Sequence, residues 1–522
     1  FKKYRLLFLE NKISKVEFID FMYNIHQTIF ENSDEIKNTS ISKIEILDNK
    51  VIMTFRDSGV KLLCIPGDKR IACLDAYNFK SYEEEELMMQ YKLIQDNDIV
   101  IDIGGNYGWY CLHIAKKFPN SKIIFFDDKF FKNWSPLINK SAASAGVENF
   151  TIFGEVYDYN PFNLMEYVRR NKIQTVLDFP FQAKATEFAS GYSNAPALSI
   201  LFEKDDYYTS ATSSASNLVT FLGNHDVGRV GFILGSKRIQ PPAQLLPRAN
   251  LANALLYFSR GIPVVYYGDE VGMTGTNAGN DQFARQDMFA TQVEIWKNEI
   301  RIGGSPIGDG DAFQATNTSP IARYLKQISE LRRTNPGLAN GVMQIRHSLN
   351  SLFVISKKDP LENREYIVAF NNSDSDESVD ITSATSEGGW QILLGDSDIT
   401  ADSNKLSFTV PALSTVIFQA RNTIDVVAVK IGKLKSVFDD MTGFYQVKAD
   451  LNSADLLKVE FFTRTLGSTK WTSNGVDTGA PYSIFLDPLD FPKKKIEIKA
   501  VATNSKGKTF VLPLTKLTFP AP

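Results

Sequence analysis

Residues 41–65, ISKIEILDNKVIMTFRDSGVKLLCI, alternate apolar and polar positions, with breaks at Asp48-Asn49 and at Asp57-Ser58-Gly59. That period of two predicts two or three antiparallel strands. The period then lengthens. SYEEEELMMQYKLI, from Ser81, sets glutamates ahead of an apolar run and predicts a helix capped by Ser81. NDIVIDIGG (97–105) is a short apolar run ending in glycines, NYGWYCLHIAKKF returns to helical spacing, and KIIFF (122–126) is a second short run. A strand, a Gly-rich turn, a helix and a strand form the first unit of a doubly wound, Rossmann-like sheet.

Beyond this point DKFFKNWSPLINKSAASAG reads as an amphipathic helix stopped by Gly146. Four strand candidates follow: FTIFGEVYD (150–158), TVLDFPF (175–181), VTFLGNHD (219–226) and IPVVYYGDE (262–270). Each is apolar with polar residues at its C-terminal end. The helical stretches NLMEYVRRN, AQLLPRANLANALLYFSRG and SPIARYLKQISELRR lie among and after them, the last with Ser319 as cap and Pro320 at its first position. Repeated β–α units with polar strand ends predict a (β/α) barrel with its site on the C-terminal face. After a turn at Asn335-Pro336-Gly337 the period returns to two in LFVISKK, EYIVAFNN, WQILLGD and LSFTVPALSTVIFQA, an antiparallel sandwich. YSIFLDPL, KIEIKAVATN and TFVLPL continue as an immunoglobulin-like β module.

The expected fold class is α/β: a truncated Rossmann-like region at 1–127, a partial (β/α) barrel at 128–338, and two all-β sandwich domains at 339–420 and 421–522. Four strands leave two open edges, and the two strands of the front region are expected to pair onto one of them.

Composition adds limits. With 522 residues, 43% hydrophobic and 22% charged, the chain reads as an ordinary multidomain globular protein. A net charge of −3 gives no argument for nucleic acid or an anionic membrane as partner. No apolar run reaches the roughly 18 residues of a membrane span. The chain begins at Phe1, so any signal peptide is absent or lies outside it. Cys64, Cys73 and Cys111 all precede residue 128. The front therefore points to a reducing, cytoplasmic compartment, whereas the long Cys-free remainder suits an exported, extracellular or periplasmic protein.

Chemistry concentrates at the strand ends. Glu155 ends a strand beside Asp158 and, taken alone, reads as a solvated or capping carboxylate. In FLGNHDVGR, Asn224, His225, Asp226 and Arg229 crowd four polar groups together, which a helix cap with a loop arginine would also produce. Taken in order, FGEVYD, FLGNHDVGR and GIPVVYYGDEVGM resemble the fifth-, seventh- and eighth-strand motifs of the α-amylase family of glycoside hydrolases, over about residues 128–420. The resemblance implies an α-1,4-glucan as substrate and Glu155 as general acid/base. Asp226 would stabilise the oxocarbenium-like transition state, with His225, Asn224, Arg229 and Tyr157 binding substrate. A glycosidic oxygen must be protonated as it departs, and a carboxylic acid does this.

A retaining mechanism needs a second carboxylate about 5–5.5 Å from the acid. The family carries it in a motif like GFRIDxxKH, but this chain has PNSKIIFFDD at that spacing, and Asp127 and Asp128 fall late. The first-strand Asn-His motif, with its usual calcium ligand, is missing too. The expectation is an impaired hydrolase, or a carbohydrate-binding protein without turnover.

The segment YEEEELMMQYKLIQDNDIVIDIGGNYGWYCLHIAKKFPNSKIIFF resembles the front of FkbM-type methyltransferases, which use S-adenosylmethionine. The resemblance implies cofactor contacts at Asp102, Gly104, Asn106 and Gly108, with Asp127 near the ribose. His26, His113 and His347 read as packed or surface residues, and no spacing suggests zinc.

Overall fold

The computed structural model describes residues 2–48, 50–64, 72–102, 108–125, 128–148, 150–237, 241–308, 311–359, 361–425, 428–452, 457–491 and 494–519. They divide into two units, Phe1–Phe131 and Lys132–Pro522.

The first unit opens with helices α1 (Lys2–Leu9) and α2 (Lys15–Glu35). α2 starts on a capping box in which Ser14 and Glu17 each accept the other's backbone N–H. The alternation at 41–65 forms three antiparallel strands, β1 (Ile41–Leu47), β2 (Lys50–Phe55) and β3 (Lys61–Cys64). Helices α3 (Ala72–Phe79) and α4 (Glu84–Leu93) follow. Ser81 does not cap α4: the helix starts after Glu83, whose backbone turns left-handed at φ +42°, with no side-chain cap. Glu84, Glu85 and Glu86 occupy the first turn, where carboxylates favour the helix dipole. β4 (Ile99–Asp102), α5 (Trp109–Lys117) and β5 (Lys122–Phe125) form a parallel β–α–β unit, Ile99 facing Lys122 and Asp102 facing Phe125. Trp109 packs edge-on against Phe55 and Tyr82. His113 is buried beside it, Nδ1 sharing a 2.8 Å hydrogen bond with the Trp109 carbonyl, and burial lowers its pKa. β4 and β5 make a two-stranded sheet, so the expected six-stranded continuation is not seen among the described residues.

Helix α6 (Asp128–Ser144) gives way where Gly146 takes φ +82°. The four expected strands then appear in order as β6 (Phe153–Gly154), β7 (Thr175–Val176), β8 (Val219–Phe221) and β9 (Ile262–Val264). β6 pairs parallel with β7, Leu177 bridges parallel to Val219, and β8 pairs parallel with β9. The intervening helices are α7 (Pro161–Arg169), α8 (Phe179–Ala189), α9 (Pro196–Phe202), α10 (Val230–Lys237) and α11 (Pro242–Phe258). Side-chain oxygens start them where the sequence turns: Asn160 caps α7 ahead of Pro161, Asp178 caps α8, and Ser319 caps the helix Pro320–Thr334. The result is a β/α arc in sequential order, with all strand C-termini on one edge.

Residues 335–340 depart from the expected simple turn: Pro336–Asn340 is a short helix. The strands beyond it form a five-stranded and a three-stranded sheet. This sandwich shares a core with the barrel helices, since Phe181, Leu255 and Ile328 cluster with Phe353, Phe370 and Ile417. Lys357 is buried at that junction and donates from Nζ to the carbonyls of Leu338 and Ser259. Burial pushes its pKa down to about 7.

The strands Lys430–Asp439 to Thr515–Thr518 form two further antiparallel sheets around a separate core that includes Val447, Phe461 and Ile498. This module docks on α7 and on residues 205–208. Arg170 pairs with Asp487 at 2.8 Å, Arg169 donates to the Phe485 carbonyl at 2.6 Å, and Tyr207 stacks edge-on against Phe485. Ser483 Oγ donates to Asp206 at 2.5 Å, near the buried Asp477.

Burial pushes the Asp477 carboxyl up to about 7, opposed by the N–H groups of Gly479 and Ser483. Burial and the Asp477 charge together raise Asp206 well above the usual range. Because both carboxyls are raised on folding, their contribution is fully present below about pH 4 and is lost as pH rises, for Asp477 through about 7. Thermal unfolding is therefore expected at a higher temperature near pH 5 than near pH 8.5, and Asp206→Asn should reduce that difference. An unchanged pH slope in Asp206→Asn would refute the assignment.

Candidate functional site

Parallel strands pointing the same way bring their C-terminal residues to one rim, and neighbouring strands lie about 4.8 Å apart. Glu155 directly follows β6 on this rim and is exposed. Tyr157, two residues on, is 44% exposed and leans on Phe179, with ring centroids 4.7 Å apart. β7 separates β6 from β8, so Glu155 and the loop after β8 stand two strand spacings apart along the rim, about 10 Å.

The loop after β8 is a closed turn. Asn224 and Gly228 exchange backbone hydrogen bonds of 3.2 and 3.0 Å. The Asn224 side-chain oxygen accepts from the N–H groups of Asp226 (2.9 Å) and Val227 (2.8 Å). Such an Asx turn explains the asparagine without a ligand. Two glycines are needed as well. A Cβ on Gly223 would meet the Gly228 oxygen at 2.5 Å, and Gly228 has φ +95° with the Gly279 oxygen 2.6 Å from where its Cβ would stand. The turn pushes His225 and Asp226 outward, with 44% and 37% of their side chains exposed and Nε2 of His225 lying 3.4 Å from Oδ1 of Asp226.

Arg229 faces inward. It is fully buried, and its guanidinium donates to Gln286 (2.6 Å), the Tyr267 carbonyl (2.5 Å) and Asp269 (3.2 Å). The rings of Tyr266 and Tyr267 lie against it. These contacts tie the loop after β8 to the segment after β9. Burial pushes Asp269 up to about 7 despite Arg229.

Sequence reasoning missed one buried cluster. Arg260, just before β9, pairs with Asp178 at 2.5 Å and with Asp205 at 2.8 Å. It lies between the rings of Phe181 and Phe202. Burial raises Asp205 to about 6, against the pull of Arg260. Asp178 also caps α8, and the Asp-Phe-Pro order at 178–180 was the available signal. Its ion-pair partners are far away in sequence and gave none.

A cavity of about 540 Å³ opens beside Asp226 and Tyr157 and runs between α8, α9 and α10. Among the described residues, no group of three or more His, Cys, Asp or Glu side chains is placed to hold a metal. Among the described residues, no helix is long and apolar enough to cross a membrane. Of the residues expected around S-adenosylmethionine, Gly108 precedes α5 with φ +76° and Asp102 ends β4, while Gly104, Asn106 and Asp127 lie outside the described residues.

Residues 117–302 match the alpha-amylase catalytic domain family, a span that opens upstream of the boundary expected between residues 127 and 128 and takes in β5. An alpha-amylase of Streptomyces lividans is 34% identical over 394 residues, covering 73% of this chain and 42% of that protein. A cyclomaltodextrin glucanotransferase of a Bacillus species is 27% identical over 226 residues, covering 42% of this chain and 26% of that protein. The chain thus spans less than half the length of these relatives. The crystal structure of an alpha-amylase from Geobacillus thermoleovorans aligns with a TM-score of 0.43 at 20% identity, over 59% of this chain and 61% of that one.

Removing one partner of a buried ion pair costs about 3–5 kcal/mol because the other charge is stranded. Arg260→Leu, which leaves Asp178 and Asp205 buried, is expected to lose that much in urea unfolding. A loss under about 1 kcal/mol would show that the cluster is not a structural tie.

Proposed function

We propose, from the alpha-amylase-family sequence at 117–302, that this chain acts on α-1,4-glucans in the retaining manner of glycoside hydrolases, with strongly depressed turnover. One observation carries the reading: Glu155 and the outward-turned Asp226 stand on the same rim of a sequential parallel arc, beside a cavity that Asp226 and Tyr157 line. Glu155 protonates the glycosidic oxygen as the C–O bond breaks. Asp226 offsets the positive charge growing on the sugar ring, and His225 contacts the same ring. Asn224 and Arg229 act indirectly, the first by closing the Asx turn and the second by anchoring it from below. Tyr157 offers its exposed ring to the apolar face of a sugar.

Depressed turnover follows from the nucleophile. The stretch at the family's spacing reads PNSKIIFFDD, and its carboxylates, Asp127 and Asp128, come later than the family motif places them. Losing a catalytic nucleophile costs on the order of a million-fold in rate. Soluble starch is therefore expected to be retained on an affinity gel, with reducing-sugar release lower by about that factor than in an intact enzyme. Release at an ordinary amylase rate, abolished in Glu155→Gln, would disprove the depressed-turnover reading.

A second reading concerns the front unit. The parallel β4–α5–β5 unit, with Gly108 at φ +76° where the helix begins, supports a nucleotide-type site of the S-adenosylmethionine kind. Calorimetry is expected to show S-adenosylmethionine binding that weakens in Asp102→Ala, and unchanged binding in that variant removes the assignment.

A further inference from the structure

Two of the chain's three cysteines meet in the first unit. Cys64 closes β3, facing Val51 across the sheet, and Cys73 is the second residue of α3. Their Sγ atoms lie 3.0 Å apart and share a hydrogen bond in which either can donate. Cys73 is 1% exposed and belongs to the apolar core with Met53, Leu62 and Trp109, whereas Cys64 packs against that core and is half-buried. A buried cysteine alone is a small apolar filler. A second one in contact, nine positions earlier, adds a covalent option. An S–S bond of about 2.0 Å needs the two sulfurs to close by only about 1 Å.

We propose that Cys64 and Cys73 are a dithiol that low-molecular-weight disulfides of the glutathione kind convert to a disulfide, fastening the end of β3 to the start of α3. The exchange takes two steps. The Cys64 thiolate attacks one sulfur of the external disulfide, whose S–S bond breaks and releases one small thiolate. Cys73 then loses its proton and attacks Cys64 Sγ, expelling the second small thiolate. Two protein thiols are thus oxidised by two electrons, one external disulfide is reduced to two thiols, and the protons end on those thiols. Cys64 acts first because it reaches solvent, and because burial and the hydrogen bond with Cys64 push the Cys73 thiol up to about 12. The cross-link closes a short ring and so removes freedom from the unfolded chain. Such a pair suits an oxidising setting as well as a reducing one, so it does not oppose the Cys-free remainder of the chain.

Oxidised glutathione added to the full chain tests this. Alkylation after denaturation should count three thiols in the reduced chain and one in the treated chain, and peptide mass mapping should find Cys64 joined to Cys73. Amide hydrogen exchange in β3 and α3 should slow by about tenfold or more on oxidation. Cys73→Ser, shown to be folded by circular dichroism, should instead hold the small thiol on Cys64 as a stable mixed disulfide. Three thiols after treatment, a cross-link through Cys111, or a mixed disulfide that persists on Cys64 of the unsubstituted chain would overturn the proposal and leave the two thiols as core packing. A Cys64–Cys73 cross-link that leaves exchange unchanged would overturn the fastening of β3 to α3.

Discussion

An arginine withdrawn from water costs several kcal/mol unless acceptors of opposite charge surround it. Arg260 meets that condition with two carboxylates brought from different β/α units. Asp178 lies just after the second strand of the arc, Asp205 in the segment leading to the third, and Arg260 just ahead of the fourth. The sheet contacts between these strands are short, two or three residues each. Backbone pairing of that length does little to fix an arrangement, so the buried cation and its partners, wedged between Phe181 and Phe202, hold the units in order. Asp206, next to Asp205, then meets the last β module through Ser483. The same stretch thus secures the arc and docks its outer neighbour.

The rim chemistry depends on this order in a simple way. Parallel strands in sequence put every loop that follows a strand on one side, and the two acidic side chains of interest lie in such loops. What differs between them is backbone support. Asp226 sits on a turn closed by Asn224, with glycines at two positions where no Cβ fits. Glu155 follows a two-residue strand and is exposed, with no such turn beneath it. The better-supported group is thus Asp226, held by its closed turn, and not Glu155.

Much of this was legible in the sequence, because period and punctuation are local signals. The alternation at 41–65, the four apolar runs with polar ends, Ser319-Pro320 and the glycine stop after α6 all lie where short-range chemistry dictates. Ser81 failed as a cap because Glu83 took the left-handed backbone instead, a choice that neighbouring packing can impose and sequence spacing does not reveal. Arg229 stood with polar neighbours on one short motif, yet it turns inward while His225 and Asp226 turn outward. Direction within a tight loop is set by residues such as Gln286 and Asp269, far along the chain. The Arg260 cluster was hidden for the same reason.

The shared core of barrel helices and first sandwich has its own consequence. Phe181, Leu255 and Ile328 have no apolar cover of their own where they face Phe353, Phe370 and Ile417. Separating the two by a cut after residue 340 would wet both faces, and the sandwich is therefore a wall of the β/α body rather than an appendage. The last module, built on Val447, Phe461 and Ile498, keeps its own core and touches the body through ion pairs, hydrogen bonds and the edge-on Tyr207–Phe485 contact. The sandwich and its helices thus form one folding block, whereas the last module carries its own core.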